Sequence, residues 1–458
     1  MTCSTVFVRF PSTCMSRWVG YWQCSLTLVL LGVAVVLWVR GVRRTHLLLM
    51  LVPVAFLPFS YARLRLCLFL ERVLGAQPRT ARLFVLFVWA GVLCDSVMVA
   101  QLLTARFDGA IPFLHAPGIA WVGAIWYSTH GLLFLGYLML GVGRLGGRLL
   151  RWVFRLQRDG AAVSPFSPGR RQFLQQVGLA GAGVPFFIAL ANVKLSYDFR
   201  VEERDIVVPH WPRELDGLRI AHLSDIHVGG GMDRTRLLRM AALTNTARPD
   251  IVLHTGDFLT HRSGDFDAPL YEALGCIRAP YGQWACLGNH DFDNPQRLVR
   301  RLREAGVITL RDTLTTVSIQ GHDLEIAGLD YLFSPSRQEK HYAAIVRSWG
   351  PRAAIPRILL NHDPRTFRIL PDGCADLVLC GHTHGGHVGV QMGRDRALTV
   401  VGLCGIPDQG VFRRPRMVMF VTRCVGFYGY PMRLGIPPEI ALLTVRAPRN
   451  ASPRRTEV

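Results

Sequence analysis

The sequence predicts two parts in series, a multi-pass α-helical membrane region and then an α/β domain. Three observations lead there. Apolar runs long enough to cross a bilayer recur through the first 193 residues. From about residue 198 the texture changes to short apolar runs alternating with helical segments. Each run in this second part that reads as a central strand then closes in a cluster of Asp, His or Asn.

The composition agrees with a membrane part. With 458 residues the chain exceeds the usual size of one core, half of it is hydrophobic and its mean hydropathy is positive. The net charge of +20 comes almost wholly from Arg, much of it between the apolar stretches. That distribution reads as topology signal rather than as a nucleic-acid footprint, so no nucleic-acid partner is expected. Eleven cysteines without a single C-x-x-C spacing read as free core or membrane thiols, Cys286 and Cys380 among them.

Region 1–176 carries four predicted transmembrane helices and a basic loop. The apolar runs are 21–39, 47–62, 83–104 and 120–142. Arg63, Arg65, Arg72, Arg79 and Arg82 fill the second loop, and Arg144, Arg148, Arg151, Arg155, Arg158, Arg170 and Arg171 fill the loop after the fourth run. The third loop offers only Arg106 against Asp108. The positive-inside rule then puts the N-terminus and the basic loops in the cytoplasm, with Arg40, Arg43 and Arg44 against the pattern. Asp95 and His130 fall inside spans, as functional groups or as polar contacts between helices. A fifth run, 177–193, follows Ser167-Pro168-Gly169-Arg170-Arg171-Gln172-Phe173-Leu174. That R-R-x-F-L segment resembles a twin-arginine export signal, although it is internal and has Gly169 where Ser or Thr is usual. Five spans would place the rest of the chain outside the cytoplasm.

The α/β domain covers 198–446, and the Arg/Pro-rich tail 447–458 is expected to be disordered. Strands are expected at 217–223, 250–255 and 282–287. Asp233 caps a helix to 247, and Asn294-Pro295 opens another that stops at Gly306. Further strands are expected at 307–310, 314–319, 323–328, 356–360, 376–380, 397–403, 416–422 and 440–446.

Five polar clusters follow strands in order: Ser224-Asp225-Ile226-His227, Gly256-Asp257, Gly288-Asn289-His290-Asp291, Asn361-His362-Asp363 and Gly381-His382-Thr383-His384. Carboxylate, imidazole and amide oxygen are the ligands of borderline-to-hard divalent ions such as Mn²⁺, Fe or Zn²⁺. Alternate residues at a strand end project to one side, so Asp225 and His227 can meet one ion. Glycine before Asp257, Asn289 and His382 lets the backbone turn sharply off its strand.

D-x-H, G-D, G-N-H-D, H and G-H-x-H in this order resemble the calcineurin-like metallophosphoesterase family over roughly residues 217 to 446. Gly381-His382-Thr383-His384-Gly385-Gly386 and Arg433-Leu434-Gly435-Ile436-Pro437-Pro438-Glu439-Ile440 resemble its membrane-anchored or twin-arginine-exported bacterial branch. The fold this implies is a β-sandwich flanked by helices. The resemblance implies two divalent metal ions. Asp225, His227 and His384 would hold one, Asn289, His362 and His382 the other, and Asp257 would bridge them. It also implies a metal-bridging hydroxide as the attacking group and His290 as leaving-group acid or charge stabiliser, with Asp291 either orienting His290 or capping a loop.

Departures from the family pattern are local. Gly256-Asp257 runs into Phe258-Leu259-Thr260-His261-Arg262, which disfavours a Ser/Thr protein phosphatase. His387 stands where Gln is usual, as a phosphate contact or a polar loop residue, and Cys424 stands where Gly is usual. His222 and His254 read as core histidines, His322 as a hairpin-turn residue and His261 as a loop residue.

The function expected is a metal-dependent phosphoesterase, of phosphodiesterase type, at a bacterial inner membrane with the catalytic domain on the outer face. Its substrate would be a lipid-linked or cell-envelope phosphoester. The alternatives are a UDP-linked acyl-sugar pyrophosphohydrolase of lipid A type and, from another class, a membrane sensor with a non-catalytic hydrolase-like domain.

Overall fold

The computed structural model describes residues 117–153 and 168–448, apart from 230, 261–266, 351–354, 395 and 429–430, and short helical pieces between 61 and 94. The predicted runs 21–39, 47–62 and 83–104 lie almost wholly outside the described residues, as do Asp95, His261 and the tail beyond 448. The chain divides into two compact units between Ala191 and Asn192.

In the first unit, α1 (Pro117–Val153) contains the fourth predicted span. It continues past the predicted end at 142, so Arg144 and Arg148 sit on the helix rather than in a loop. The Leu and Arg of that extension are good helix formers. His130 is buried and bonds through Nδ1 to the carbonyl of Trp126 one turn earlier, a polar contact within its own helix. α2 (Pro168–Leu195) contains the fifth span and begins on Pro168, so Arg170 and Arg171 lie in its first turn rather than ahead of it. Proline at a helix start supplies a pre-set φ and lacks only an N–H that would be unpaired anyway. By length and composition both helices could cross a membrane.

The second unit holds two six-stranded sheets. Strands β1 (Arg200–Val207), β2 (Arg219–Leu223), β3 (Ile251–His254), β4 (Gln283–Ala285) and β5 (Val307–Thr309) join β14 (Glu439–Arg446) in the order β1-β14-β2-β3-β4-β5. Strands β6 (Thr313–Ile319), β7 (His322–Gly328), β8 (Arg357–Leu360), β9 (Leu377–Cys380), β12 (Gly410–Arg414) and β13 (Met417–Val421) form the other, in the order β12-β13-β9-β8-β7-β6. A separate hairpin pairs β10 (Gly389–Gln391) with β11 (Ala397–Thr399).

The sheets share one apolar interior, with Ile220, Ile251 and Leu443 from one and Ile326, Ile358, Leu379 and Phe420 from the other. Helices α3 (Arg234–Thr246), α4 (Ala268–Gly275) and α5 (Pro295–Glu304) cover the outer face of the first sheet, and α6 (Pro335–Ser348) packs on the second. A mixed-sheet α/β sandwich with helices on both outer faces is therefore the observed architecture. Asp233 and Asn294 cap α3 and α5 by accepting the backbone N–H of Arg236 and Arg297 at 2.9 and 3.1 Å.

Several elements differ from the sequence reading. β1 was not expected, because its charges mask the alternation: Arg204 points inward with Ile206, where Glu439 satisfies it at 2.8 Å. α4 and α6 were also not expected. The predicted strand 397–403 splits into β11 and a one-turn helix, α7 (Val400–Leu403), where Thr399 turns the chain by accepting the N–H of Gly402. His322 is the first residue of β7, and the turn before it is made by Gln320 and Gly321, both with positive φ.

Candidate metal centre

Five loops leave the C-terminal ends of parallel strands and meet at one edge of the sandwich. β2, β3 and β4 are mutually parallel, as are β8 and β9, so their exits face the same way. Asp225 and His227 follow β2, Asp257 follows β3, and Asn289, His290 and Asp291 follow β4. His362 follows β8, and His382 and His384 follow β9. Asp225, His227, Asp257, His382 and His384 all have φ between +50° and +70°. A non-glycine residue there costs about 1–2 kcal/mol. Among the described residues eleven non-glycines have positive φ, and five of them meet at this one edge, as strained backbone at a functional site does.

The donor atoms converge on the Asp257 carboxylate. Its Oδ2 lies 3.5 Å from His227 Nε2 and 3.3 Å from His362 Nε2, while Oδ1 is fixed by the backbone N–H of His290 at 2.8 Å. On one side, Asp225 Oδ1 stands 3.3 Å from His384 Nε2 and 3.8 Å from His227 Nε2. On the other, His362 Nε2 is 3.1 Å from both Asn289 Oδ1 and His382 Nδ1. The structure thus gathers all seven predicted ligand positions, in two sets that share Asp257.

Ring orientation is set from behind. His362 donates Nδ1–H to the carbonyl of Thr255 at 2.7 Å, and His384 Nδ1 faces the carbonyl of Gly426 at 3.3 Å. Both rings are thereby held with Nε2 turned toward the carboxylates. Asp225 is held the same way. Its Oδ2 accepts from Ser224 Oγ, from the N–H of His382 at 2.9 Å and from Cys424 Sγ at 3.1 Å. Its Oδ1 and both ring nitrogens of His227 are buried and make no hydrogen bond.

Those orphaned atoms fit a cation. Burial works against ionisation of Asp225, yet the imidazoles of His384, His362 and His227 hold its pKa well below the usual carboxylate value. Burial also works against a charged His362, but Asp257 and Asp225 outweigh it and lift its pKa to about 10. The cluster therefore draws positive charge to the point where the two donor sets meet. Asp225, His227 and Asp257 bring their donor atoms within 4.8 Å of one another, as do Asp257, His362 and His382. Asp225, His384 and Cys424 form a third such group.

His290 sits at the rim, its ring centroid 5.1 Å from that of His227 and 4.4 Å from that of Tyr428. Burial lowers its pKa. Asp291 does not orient it. Its carboxylate instead accepts the backbone N–H groups of Asp257, Phe258 and Gly288, which makes it the loop cap of the two earlier readings. His387 is likewise no free loop residue, since its Nδ1 bonds the carbonyl of Met432 at 3.1 Å and its ring lies 4.7 Å from that of His384.

Sequence reasoning missed the surround. Tyr428 flanks His290 and His227, and Tyr331 flanks His362 and His382 at 6.0 and 6.1 Å. Neither tyrosine lies in a ligand cluster, so no spacing pointed to them. Arg433, fully buried, donates to the carbonyls of His384, Arg423 and Gly426 and so braces the last turn of the site.

Comparison with known proteins agrees with this geometry. Residues 218–386 match the family model described as calcineurin-like phosphoesterase. A zebrafish (Danio rerio) "transmembrane protein with metallophosphoesterase domain" is 29% identical over 343 residues, covering 71% of this chain and 74% of the relative. The UDP-2,3-diacylglucosamine pyrophosphatase LpxG of Chlamydia muridarum is 24% identical over 276 residues, covering 50% and 84%. The phosphodiesterase YaeI of Escherichia coli is 26% identical over 234 residues, covering 49% and 81%. The loops that carry Asp225, His227, Asp257, Asn289, His362, His382 and His384 lie inside the matched stretch, so residues 218–386 match a calcineurin-like phosphoesterase domain, and the protein is a hydrolase acting on phosphoester bonds.

Proposed function

We propose that the protein is a phosphodiesterase working at a dinuclear metal centre on a phosphoester presented at a membrane. One observation carries this reading: a single oxygen, Asp257 Oδ2, faces an imidazole of each donor set at 3.5 and 3.3 Å. Asp225, His227 and His384 would hold one divalent ion, Asn289, His362 and His382 the other, and Asp257 both. Two such ions, Mn²⁺, Fe or Zn²⁺ by the chemistry of the donors, would neutralise phosphoryl charge and acidify a water between them.

The chain's own residues supply the rest. Asp257 is pinned through Oδ1 so that Oδ2 cannot rotate away from the two imidazoles. His290, at the rim, would in its imidazolium form pass a proton to the departing oxygen and take one back from solvent, burial making that imidazolium a stronger acid. Tyr331 and Tyr428 would wall the site on its two sides and limit water.

In the same reading the protein is a multi-pass protein of a bacterial inner membrane, with regions 1–176 and 177–193 in the bilayer and the catalytic domain, 198–446, on the outer face. The two membrane-length helices, the arginine distribution and the Arg170-Arg171 segment support it. The pyrophosphatase among the relatives favours a second reading, hydrolysis of a UDP-linked acylated sugar. Seven filled ligand positions speak against a non-catalytic sensor.

The test is hydrolysis of a soluble aryl phosphodiester by the detergent-solubilised chain with added Mn²⁺. Asp257→Asn and His290→Ala should each abolish turnover. Full activity in both variants would refute the site.

A further inference from the structure

The strand that leaves the metal site carries an apolar surface that nothing in the catalytic reading uses. β10 begins at Gly389, just beyond His387, and returns through β11 into α7. Val390, Met392, Leu398, Val400 and Leu403 on this hairpin and helix are each between 51% and 74% exposed. They are not scattered. Val390 and Leu398 are direct cross-strand partners, so they share one face. Met392 lies just past β10 and Val400 opens α7, and their backbone N–H groups bond the carbonyls of Arg396 and Val388. The opposite face carries Thr399, which is buried and bonded to Asp408. A contiguous exposed apolar patch of this kind marks an interaction surface.

The surroundings say what covers it. At the hairpin tip Arg394 and Arg396 are both exposed and outnumber Asp395, which suits an anionic surface. At the hairpin root, Gly389 donates its N–H to the carbonyl of Leu434 at 2.9 Å and Val388 bridges Gly435. The neighbouring Arg433 donates its own backbone N–H to Asn192 Oδ1, near the C-terminal end of α2, at 3.1 Å. Three consecutive residues, Arg433 to Gly435, therefore join the hairpin root to Asn192, the first residue of the second unit. The joint is close-fitting, since a Cβ on Gly435 would fall 2.1 Å from the carbonyl oxygen of Gly389.

We propose that the β10–β11 hairpin and α7 form an interfacial docking surface for an anionic lipid bilayer. The apolar side chains would lie at the boundary of headgroups and acyl chains, with the tip arginines among lipid phosphates. Because the docking strand continues directly from the His382–His387 turn, the bilayer would present a lipid-borne phosphodiester to the metal site. This second step rests on the proposed phosphodiesterase activity, whereas the docking itself does not.

The test places the full-length chain in nanodiscs of phosphatidylcholine and phosphatidylglycerol. Nitroxide labels on Leu398→Cys and, as an independent site, Val400→Cys are compared with a label on Glu339→Cys, an exposed position on α6. The signal of the labelled parent chain is subtracted as background. Labels at 398 and 400 should collide more readily with oxygen than with a water-soluble nickel chelate, and the label at 339 should show the reverse. Equal water exposure at all three positions overturns the docking. So does dipolar broadening between labels at 398, which would put a second copy of the chain there.

Substrate delivery is read separately. Val390→Asp with Leu398→Asp should lower hydrolysis of a vesicle-borne phosphodiester about tenfold while leaving a soluble aryl phosphodiester within about twofold. An unchanged rate on the vesicle-borne substrate overturns the delivery step. A parent chain inactive on the soluble diester would instead refute the phosphodiesterase reading and leave the label result to decide docking.

Discussion

The carboxylate of Asp291 accepts the backbone N–H of Asp257 at 2.8 Å through Oδ2, and the same oxygen accepts the N–H of Gly288 at 2.9 Å. Its other oxygen takes the N–H of Phe258 at 3.0 Å. One side chain thus ties the loop after β3 to the loop after β4. Asp291→Asn replaces one of these acceptors with an N–H₂ that faces backbone donors. Unmade hydrogen bonds of buried groups cost about 1–3 kcal/mol each, so a loss of roughly 2–4 kcal/mol is expected. Thermal unfolding of the solubilised chain reads the stability, and elemental analysis should show a fall in bound metal. A variant with parental melting and metal content would mean that Asp291 does not hold the loops together.

Two glycines leave no room for a side chain beside Asp257 and Asp225. A Cβ on Gly288 would lie 2.2 Å from Asp257 Oδ1 and 2.5 Å from its backbone N, and one on Gly381 would lie 2.2 Å from Asp225 Oδ2. Gly288→Ala and Gly381→Ala should displace these carboxylates. Displacements near 1 Å cost on the order of a hundredfold in rate. Gly306, with φ of +83° and open space around it, is the contrast. Gly306→Ala should cost about 1–2 kcal/mol of stability through its backbone alone and leave the rate unchanged. Steady-state kinetics beside melting curves separates the two classes, and equal rates for all three variants would contradict the close fit at the ligands.

How far the sequence carried follows from which interactions are local. The proposed ligand positions stood out in the sequence because each follows a short, mostly apolar run, and in β3, β8 and β9 every residue of the strand is buried. The caps Asp233 and Asn294 were legible because a cap bonds within three residues. β1 was hidden because Arg204, an inward residue, is satisfied by Glu439, 235 positions away. The choice between two roles for Asp291 needed the loop after β3 in place. Tyr331 and Tyr428 reach the site through tertiary folding alone.

A chain of hydrogen bonds runs behind Asp225 and predicts an acid-sensitive share of stability. Thr255 Oγ1 donates to Ser224 Oγ at 2.7 Å and Ser224 Oγ donates to Asp225, so His222 Nε2, 2.9 Å from Thr255 Oγ1, must be the donor there. Burial lowers the pKa of His222 from 6.5 to about 3. Between these values the unfolded chain binds a proton that the folded chain refuses, so stability is complete above pH 6.5 and falls as the pH drops toward 3. His222→Gln keeps an N–H donor and does not titrate. The unfolding free energy of this variant should therefore decline less steeply than the parent's between pH 6.5 and 4, by up to about 1.4 kcal/mol per pH unit, and its melting temperature with it. Parallel pH profiles would show that His222 is not held neutral.

Glu439 anchors the base of the site between two arginines. Its Oε2 accepts from Arg204 Nη2 at 2.8 Å and Arg423 Nε at 2.9 Å, and its Oε1 accepts the backbone N–H of Arg423 at 3.0 Å. All three side chains are nearly fully buried. Arg423 in turn lies under the ligand turn, since a Cβ on Gly385 would fall 2.8 Å from Arg423 Cγ. Glu439→Gln leaves two guanidinium groups facing each other in a buried site, for which removal of one partner costs about 3–5 kcal/mol. The loss should appear as a lower unfolding midpoint and weaker metal retention, because the turn bearing His382 and His384 rests on Arg423. Replacing the whole triad, with Glu439→Gln, Arg204→Met and Arg423→Met together, removes both buried guanidinium charges and should recover part of that stability. Unfolding midpoints of the single and triple variants decide the matter, and a triple variant less stable than the single would show that the triad is held by packing rather than by charge.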